Sequence, residues 1–413
     1  MGMKEVWAML AAVALLMGCT GCQPPRSIPL PDELAAAALA DVDAAAARYG
    51  RSLLEGESLE FYDRLDRAVV RMDNFVSLED LSLDKETLSQ VFQYYALDNP
   101  GCFWLGKGYQ YQYYDSQPER PVTMILSFFD GQVSDKAAGQ KNRLESRANR
   151  EQIRRQQVQL EEALEEIVAQ IPALLPDRER AILAHDLLVK RISYDGEAAR
   201  TIWGTNVDSH AFSAYGALVE GDAVCEGYAE AYQLVLERLG IPCLAVLGDS
   251  RGQAHQWNLV ELDGRFYHAD LTWDDTDVLT QKGILCQYYL LMDDEQILRD
   301  HSISRERGYP LPSCDDNSQY AYLDTAFVVR EGLLAVDPRA VSQGIRDRQE
   351  GWAVVILDGA TDSGRVQRWV NTNLWGNALP AQALEQEGLA PSTSYYTIST
   401  WGMALVPLES LPT

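Results

Sequence analysis

The sequence predicts an α+β protein whose central unit lays one helix against an antiparallel sheet. Two observations carry that expectation. The run Cys225-Glu226-Gly227-Tyr228-Ala229-Glu230-Ala231-Tyr232 continues with helical apolar spacing through Val235, Leu236 and Leu239, and Gly240-Ile241-Pro242 stops it. Further on, His255–Leu262 and Arg265–Thr272 read as strands around Asp263-Gly264, a strong signal for a two-residue hairpin turn.

In chain order, residues 1–18 read as a signal segment and 19–32 as a proline-rich linker. Residues 33–174 form an N-terminal region, helical through 98. Its helical patterns are the alanine-rich 34–48 and the stretch Leu59–Met72. A strand pair follows in 104–130, turning at Gln117-Pro118, and then a long helix over 140–171. The central unit spans 175–315 and opens with a helix from Pro176 to Val189. Residues 318–413 form a small α+β domain. Its strands are Tyr320–Arg330, Trp352–Leu357, Tyr395–Thr400 and Met403–Pro407, around helices near 338–349 and 380–387.

The chemistry concentrates at three positions. Cys225 stands at the first turn of its helix, where free N–H groups and a partial positive charge favour thiolate over thiol. The two-residue turn sets Leu262 opposite Arg265, Trp257 opposite Asp270 and His255 opposite Thr272. His255, Trp257, Phe266, His268, Asp270 and Thr272 then share one face. His255 and Asp270 become diagonal neighbours, about 7–8 Å apart along the backbone, a gap that long side chains close. A carboxylate on one imidazole nitrogen fixes the ring and leaves the other nitrogen for the thiol.

Each residue also has an ordinary reading. Cysteine is often a small buried apolar residue, and this chain has seven. His255 and Asp270 alone make a plausible structural bond across two strands. The joint placement favours a catalytic site. A zinc site from the same three residues lacks paired ligand spacing, so neither metal nor cofactor is expected. The Cys225 backbone N–H is one donor for an oxyanion, and Tyr215, Ser213, His210 and Trp203 are side-chain candidates left open. Trp257 shields the His255–Asp270 pair or simply packs on the helix. His268 is expected behind the site or in solvent, and Asp274, Asp275 and Asp277 in a solvated loop.

The stretches Gly221–Tyr232, His255–Asn258 and Asp263–Asp275 resemble the cysteine, histidine and aspartate motifs of bacterial transglutaminase-like proteins. Tyr194-Asp195 and Ser213–Leu218 fit the same pattern. The resemblance covers 175–315 and implies a papain-like fold, with Cys225 as nucleophile, His255 as base and Asp270 as its orienter. It does not choose among transferases, peptidases, amidases and inactive members.

The remaining observations bound location and partners. Lys4 precedes an apolar run from Val6 to Met17, too short to span a bilayer. The run ends in Leu16-Met17-Gly18-Cys19, which resembles a bacterial lipobox, so Cys19 is the expected lipidation site. This places the chain outside the cytoplasm, lipid-anchored to a bacterial cell membrane. The net charge of −26 disfavours nucleic acid. The basic residues from Lys141 to Arg155 and the acidic Glu161–Glu166 read as solvated faces of one helix. Cys102 and Cys243 look like core residues, and Cys286–Cys314 is the one disulfide pair entertained. The expected function is an exported thiol acyl enzyme on peptide or amide bonds, with hydrolysis slightly favoured over transamidation. Its substrates are proteins or peptides, cell-wall peptides included. The alternatives are a non-catalytic module binding peptide or cell-wall strands, and a structural envelope protein.

Overall fold

The structure, a computed structural model, describes residues 48–129, 150–201, 209–275 and 285–319, and in the C-terminal part 326–330, 352–356, 363–373, 385, 388–393, 395–398 and 403–411. The signal segment, the linker, Cys19, Cys22, Trp203, the basic run before Arg150 and nearly all of the alanine-rich stretch lie outside the described residues. So do the expected helix near 338–349 and most of that near 380–387. The chain divides into two units, one holding residues up to 273 together with 289–320, the other 274–288 and 321–413.

After a single helical turn at Tyr49–Ser52, the first unit continues with α1 (Gly56–Arg71), which buries Phe61, Tyr62, Leu65, Ala68 and Val69 as one helical stripe. Strand β1 (Phe75–Ser77) follows, then α2 (Lys85–Asp98), whose Asp84 side chain caps the Thr87 N–H at 2.7 Å. Strands β2 (Leu105–Tyr114) and β3 (Gln117–Phe128) form the expected hairpin, and β1 pairs with β3 in the order β1-β3-β2. Two expectations need correction here. Phe75–Ser77 is an edge strand inside a stretch read as helical, too short to show a period. The hairpin turns at Asp115-Ser116, because Tyr114 pairs with Gln117 and the prolines lie within β3. Opposite Pro121 the register slips, as a residue without an N–H requires.

Helices α3 (Arg150–Val168) and α4 (Asp177–Arg191) lead into the central unit. Glu161 of α3 is not on a solvated face: its carboxylate takes both Arg238 guanidinium nitrogens at 2.7 and 2.8 Å. A short parallel pair, β4 (Ser193–Tyr194) with β5 (Asp222–Ala223), precedes α5 (Cys225–Leu239). Gly240 ends α5 in the left-handed conformation, φ 77°.

Strands β6 (Cys243–Ser250), β7 (Gln253–Leu262), β8 (Arg265–Ala269), β9 (Leu290–Met292) and β10 (His301–Ile303) form an antiparallel sheet in the order β10-β6-β7-β8-β9. Asp263 and Gly264 both have positive φ, 52° and 77°, as the two-residue hairpin demands. Leu262 pairs with Arg265 and the ladder runs to Asn258 opposite Ala269. There it stops. The chain turns into a short helix, Leu271–Asp274, so His255 does not pair with Thr272. Helix α5 lies on the face that carries Asn258, whose amide donates to the Ala229 carbonyl at 3.1 Å. This α+β unit, one helix on an antiparallel sheet, is the architecture expected. The N-terminal elements are part of the same unit: Gln233 of α5 donates to the Leu97 carbonyl of α2 at 3.0 Å.

In the second unit, β11 (Ala326–Arg330) runs parallel to β12 (Trp352–Ile356). Helix α6 (Ser363–Asn373) follows. Strands β13 (Leu389–Pro391), β14 (Tyr396–Ile398) and β15 (Met403–Ser410) come next, with β15 antiparallel to β12, β13 and β14. No disulfide joins any two of Cys102, Cys225, Cys243, Cys286 and Cys314, all of them buried, so the Cys286–Cys314 pair is not formed.

Candidate active site

Cys225 is the first residue of α5, and three contacts fix its place. Strand β5 is tied to β4 immediately before it. The Val224 N–H donates to the Ala211 carbonyl at 2.9 Å. Lys107 of β2 reaches Glu226 at 2.7 Å and the Phe212 carbonyl at 3.1 Å, pinning the first turn from outside. Gly227 is required there, because a Cβ would stand 2.7 Å from the Ala211 carbonyl oxygen and 3.0 Å from that of Ser213. Cys225 is buried, and its N–H, in the first turn, has no acceptor within the helix.

His255 projects from β7, and the Cys225 thiol lies near enough to favour the charged form of its ring. Its Nε2 lies 2.6 Å from Asp270 Oδ2, so Nδ1 is the nitrogen left for sulfur. Trp257 stacks on the imidazole at 5.8 Å between ring centres and Trp273 meets it edge-on at 6.4 Å. Burial opposes the imidazolium, but the Asp270 carboxylate outweighs it, and the pKa rises to about 10. Asp270 is 1% exposed. Burial there favours the acid, yet His255 and then His301 hold the carboxyl well below its usual range. The Trp273 N–H donates to Asp270 Oδ1 at 3.2 Å and the Asp270 N–H to the Tyr289 carbonyl at 2.9 Å, which fixes the carboxylate's plane.

The other expected residues are spread more widely. The Tyr215 hydroxyl donates to Gln159 of α3 at 2.8 Å, His210 faces Glu220 at 2.6 Å, and Ser213 donates to the His210 carbonyl at 2.7 Å. All three are committed to contacts of their own. His268 is fully buried rather than in solvent. The Trp257 indole donates to its Nδ1 at 2.9 Å, so the ring proton sits on Nε2, 2.8 Å from Asp294. Burial, the largest influence, pulls the His268 pKa down.

Of two further residues near the site, Tyr194 entered only through the family resemblance and His301 was not singled out. His301, from edge strand β10, is a second imidazole on Asp270 Oδ2, at 3.0 Å. The signal was thin but real: the chain has five histidines, and 255, 268 and 301 converge here. Burial raises the phenol pKa of Tyr194 on β4, and Cys225, the adjacent Asp195 and Asp270 add to the rise.

Among the described residues, two groups bring ligand-type atoms within 4.8 Å of one another: His255, Asp270 and His301, and His268, Asp294 and Cys314. In both, ring N–H groups already point at carboxylate oxygens, and hydrogen bonds account for the contacts. A cavity of about 550 Å³ lies on the opposite face of β7, lined by Lys107, Glu226, Glu230, Gln233 and Gln256 among others. Two of those, Glu226 and Gln256, are the chain neighbours of Cys225 and His255.

Residues 165–271 match the sequence profile of the Transglutaminase-like superfamily. Kyphoscoliosis peptidase of Mus musculus is 28% identical over 162 residues, covering 35% of this chain and 24% of that protein. The Homo sapiens protein of the same name is 27% identical over the same length. The chain thus spans about a quarter of these relatives. A solved structure described as a TGase aligns over 61% of this chain and 57% of its own, with 13% identity and a TM-score of 0.29. One from Cytophaga hutchinsonii, described as a candidate cysteine protease, aligns over 40% of this chain and 61% of its own, with 12% identity and a TM-score of 0.22. The profile match takes in Cys225 and His255 and ends one residue past Asp270, and the chain contains a transglutaminase-like domain.

Proposed function

We propose that this protein is a thiol acyl enzyme acting on peptide or amide bonds, with Cys225 as nucleophile, His255 as acid and base, and Asp270 as the group that orients His255. The observation that supports the reading is the His255 imidazole 2.6 Å from the Asp270 carboxylate, with the Cys225 thiol close enough to act on its charge. Cys225 Sγ attacks the amide carbonyl carbon and its proton resides on His255 Nδ1. The oxygen takes up the electron pair beside the Cys225 N–H at the helix start. As the C–N bond breaks, His255 gives its proton to the departing amine, leaving a thioester. Water then attacks the thioester while His255 accepts its proton. The acid departs, and the thiol is restored when His255 returns the proton to sulfur.

Water is favoured as the acceptor over an amine. Bulk water is in vast excess, and an enzyme that prefers an amine must exclude it. The name peptidase carried by the mouse and human relatives accords with this choice. The proposal extends to location: an exported chain acylated at Cys19, working on protein or cell-wall peptides. Attachment is assigned to lipid on the strength of the Leu16-Met17-Gly18-Cys19 run; among the described residues no helix is long and apolar enough to cross a membrane. Mass spectrometry of the membrane fraction checks this. A diacylated Cys19 at the mature N-terminus is expected, and an unmodified N-terminus there removes the anchor.

The activity test offers glutamine-containing and cell-wall peptides with and without a primary amine. Hydrolysed product from the wild type and none from Cys225→Ala is the expected result. Turnover unchanged in Cys225→Ala ends the reading, and product that needs the amine reverses the preference for water.

A further inference from the structure

His301 has surroundings that fix its charge. Its Nε2 lies 3.0 Å from Asp270 Oδ2 and its Nδ1 2.7 Å from Asp300 Oδ1. An ionised carboxylate only accepts, so each contact needs an N–H on the ring, and a neutral imidazole has one. The His301 side chain is fully buried and that of Asp270 is 1% exposed. Asp300 is itself held: the Tyr289 hydroxyl donates to Oδ2 at 2.7 Å, and an Arg251 guanidinium nitrogen stands 3.4 Å from the same oxygen. The rest of the ring's surroundings are aromatic: Trp257 at 5.1 Å, Tyr289 at 5.6 Å and Trp273 at 6.3 Å between ring centres, with His255 at 5.5 Å. Burial opposes the charged ring, but the two carboxylates raise its pKa above the ordinary imidazole value.

We propose, resting on the thiol-enzyme reading, that His301 is a positioning residue: a buried imidazolium that bridges Asp270 and Asp300 and shares the Asp270 Oδ2 oxygen with His255. The sharing has a chemical purpose. His255 must give its Nδ1 proton to the leaving amine, and a buried carboxylate acting alone on Nε2 stabilises the imidazolium so well that this proton is released reluctantly. A second cation on the same oxygen draws off part of its charge and repels the His255 imidazolium across a water-poor space. It also keeps Asp270 ionised and in place between two donors. Among the described residues, the titratable groups bearing on His255 are Asp270, Cys225 and His301, with Trp257 and Trp273 walling them off.

Imidazole titration by NMR tests this on ¹⁵N-labelled full-length protein carrying Cys225→Ala, so that no turnover is needed. His301 is expected to stay doubly protonated well past the ordinary midpoint of about 6.5. His301→Gln is expected to raise the His255 midpoint by about one unit. Asp300→Asn removes the Nδ1 partner but spares the Asp270 contact, and is expected to shift His255 the same way by less. A His301 that titrates at the ordinary value, or a His255 midpoint unmoved or lowered in the folded variants, overturns the proposal. In the enzyme with Cys225 intact, the alkaline limb of the pH–rate profile moves by the same amount in His301→Gln, an effect that a purely structural role does not produce. Absence of turnover in the wild type would defeat the thiol-enzyme reading and leave the titration result standing.

Discussion

His255 Nε2 and Asp270 Oδ2 stand 2.6 Å apart although the strands carrying them cease to pair one residue before Asp270. The contact is made by departure from the sheet rather than by the sheet itself. Where β8 ends at Ala269, the Asp270 N–H is taken by the Tyr289 carbonyl, and the following turn offers the Trp273 N–H to its carboxylate. An aspartate in a continued strand would have had both flanking N–H groups drawn into the ladder. Ending the strand aims the side chain at the ring.

Replacing Asp270 with asparagine should therefore spare the fold and remove the chemistry. The amide keeps the shape and can still accept from the Trp273 N–H, but the charge that raises the His255 pKa is gone. Turnover should fall by about 10³–10⁴-fold with native circular dichroism. A loss under tenfold would mean that Asp270 does not orient the base.

The same pair sets a pH window for stability. The His255 pKa rises to about 10 in the folded state, so its contribution is complete below the unfolded value of about 6.5 and fades as pH rises through about 10. The Asp270 pKa is depressed, so its contribution is complete above an unfolded value of about 4 and fades as pH falls through the folded one. The difference in unfolding free energy between wild type and Asp270→Asn should thus be flat and largest between about pH 4 and 6.5. Urea titrations at pH 5, 8 and 10 check it. A difference that grows towards pH 10 contradicts the assignment.

Thiol chemistry should be equally selective. Burial pushes the Cys102 thiol up to about 12 and those of Cys243 and Cys314 up as well, and each is packed away from solvent. Cys225, at a helix start beside an imidazole, should be alkylated by iodoacetamide far faster than these three in the folded protein. Peptide mapping after brief exposure decides the point. Labelling of Cys102 or Cys243 at a comparable rate would assign the nucleophile wrongly.

The parts of this site legible in sequence were those governed by local rules. A helix that begins at Cys225 and stops at Gly240, and a hairpin turning on Asp263-Gly264, follow from capping and turn chemistry within a few residues. Beyond Ala269 the Asp270 N–H finds its acceptor on Tyr289, far along the chain, and the next residues turn into Leu271–Asp274, so His255 does not pair with Thr272 as expected. His301 was missed for a related reason. It sits on a three-residue edge strand whose pairing with β6 no periodicity can announce. In β3, Pro118, read as a turn residue, proved to lie within the strand, because a proline's meaning depends on which neighbour its missing N–H would have faced.

Trp257 gives the last prediction, since it holds His268 in one protonation state while stacking on His255. The indole is a donor only, so His268 Nδ1 must be an acceptor, and the buried ring stays neutral with its proton on Nε2 facing Asp294. Trp257→Phe keeps an aromatic ring against His255 but removes that donor. At pH 8 the variant leaves a buried acceptor unpaired and loses part of the indole's packing, a cost of about 1–3 kcal/mol. As pH falls below about 6.5, the freed Nδ1 can take a proton, and Asp294 stabilises the resulting cation. In the wild type the His268 pKa is lowered, so the folded state resists that proton while the unfolded chain accepts it. The stability gap between wild type and Trp257→Phe should therefore narrow from pH 8 to pH 5.5. Paired urea titrations at the two pH values measure it. A gap that stays constant or widens would show that the indole does not set the charge of His268.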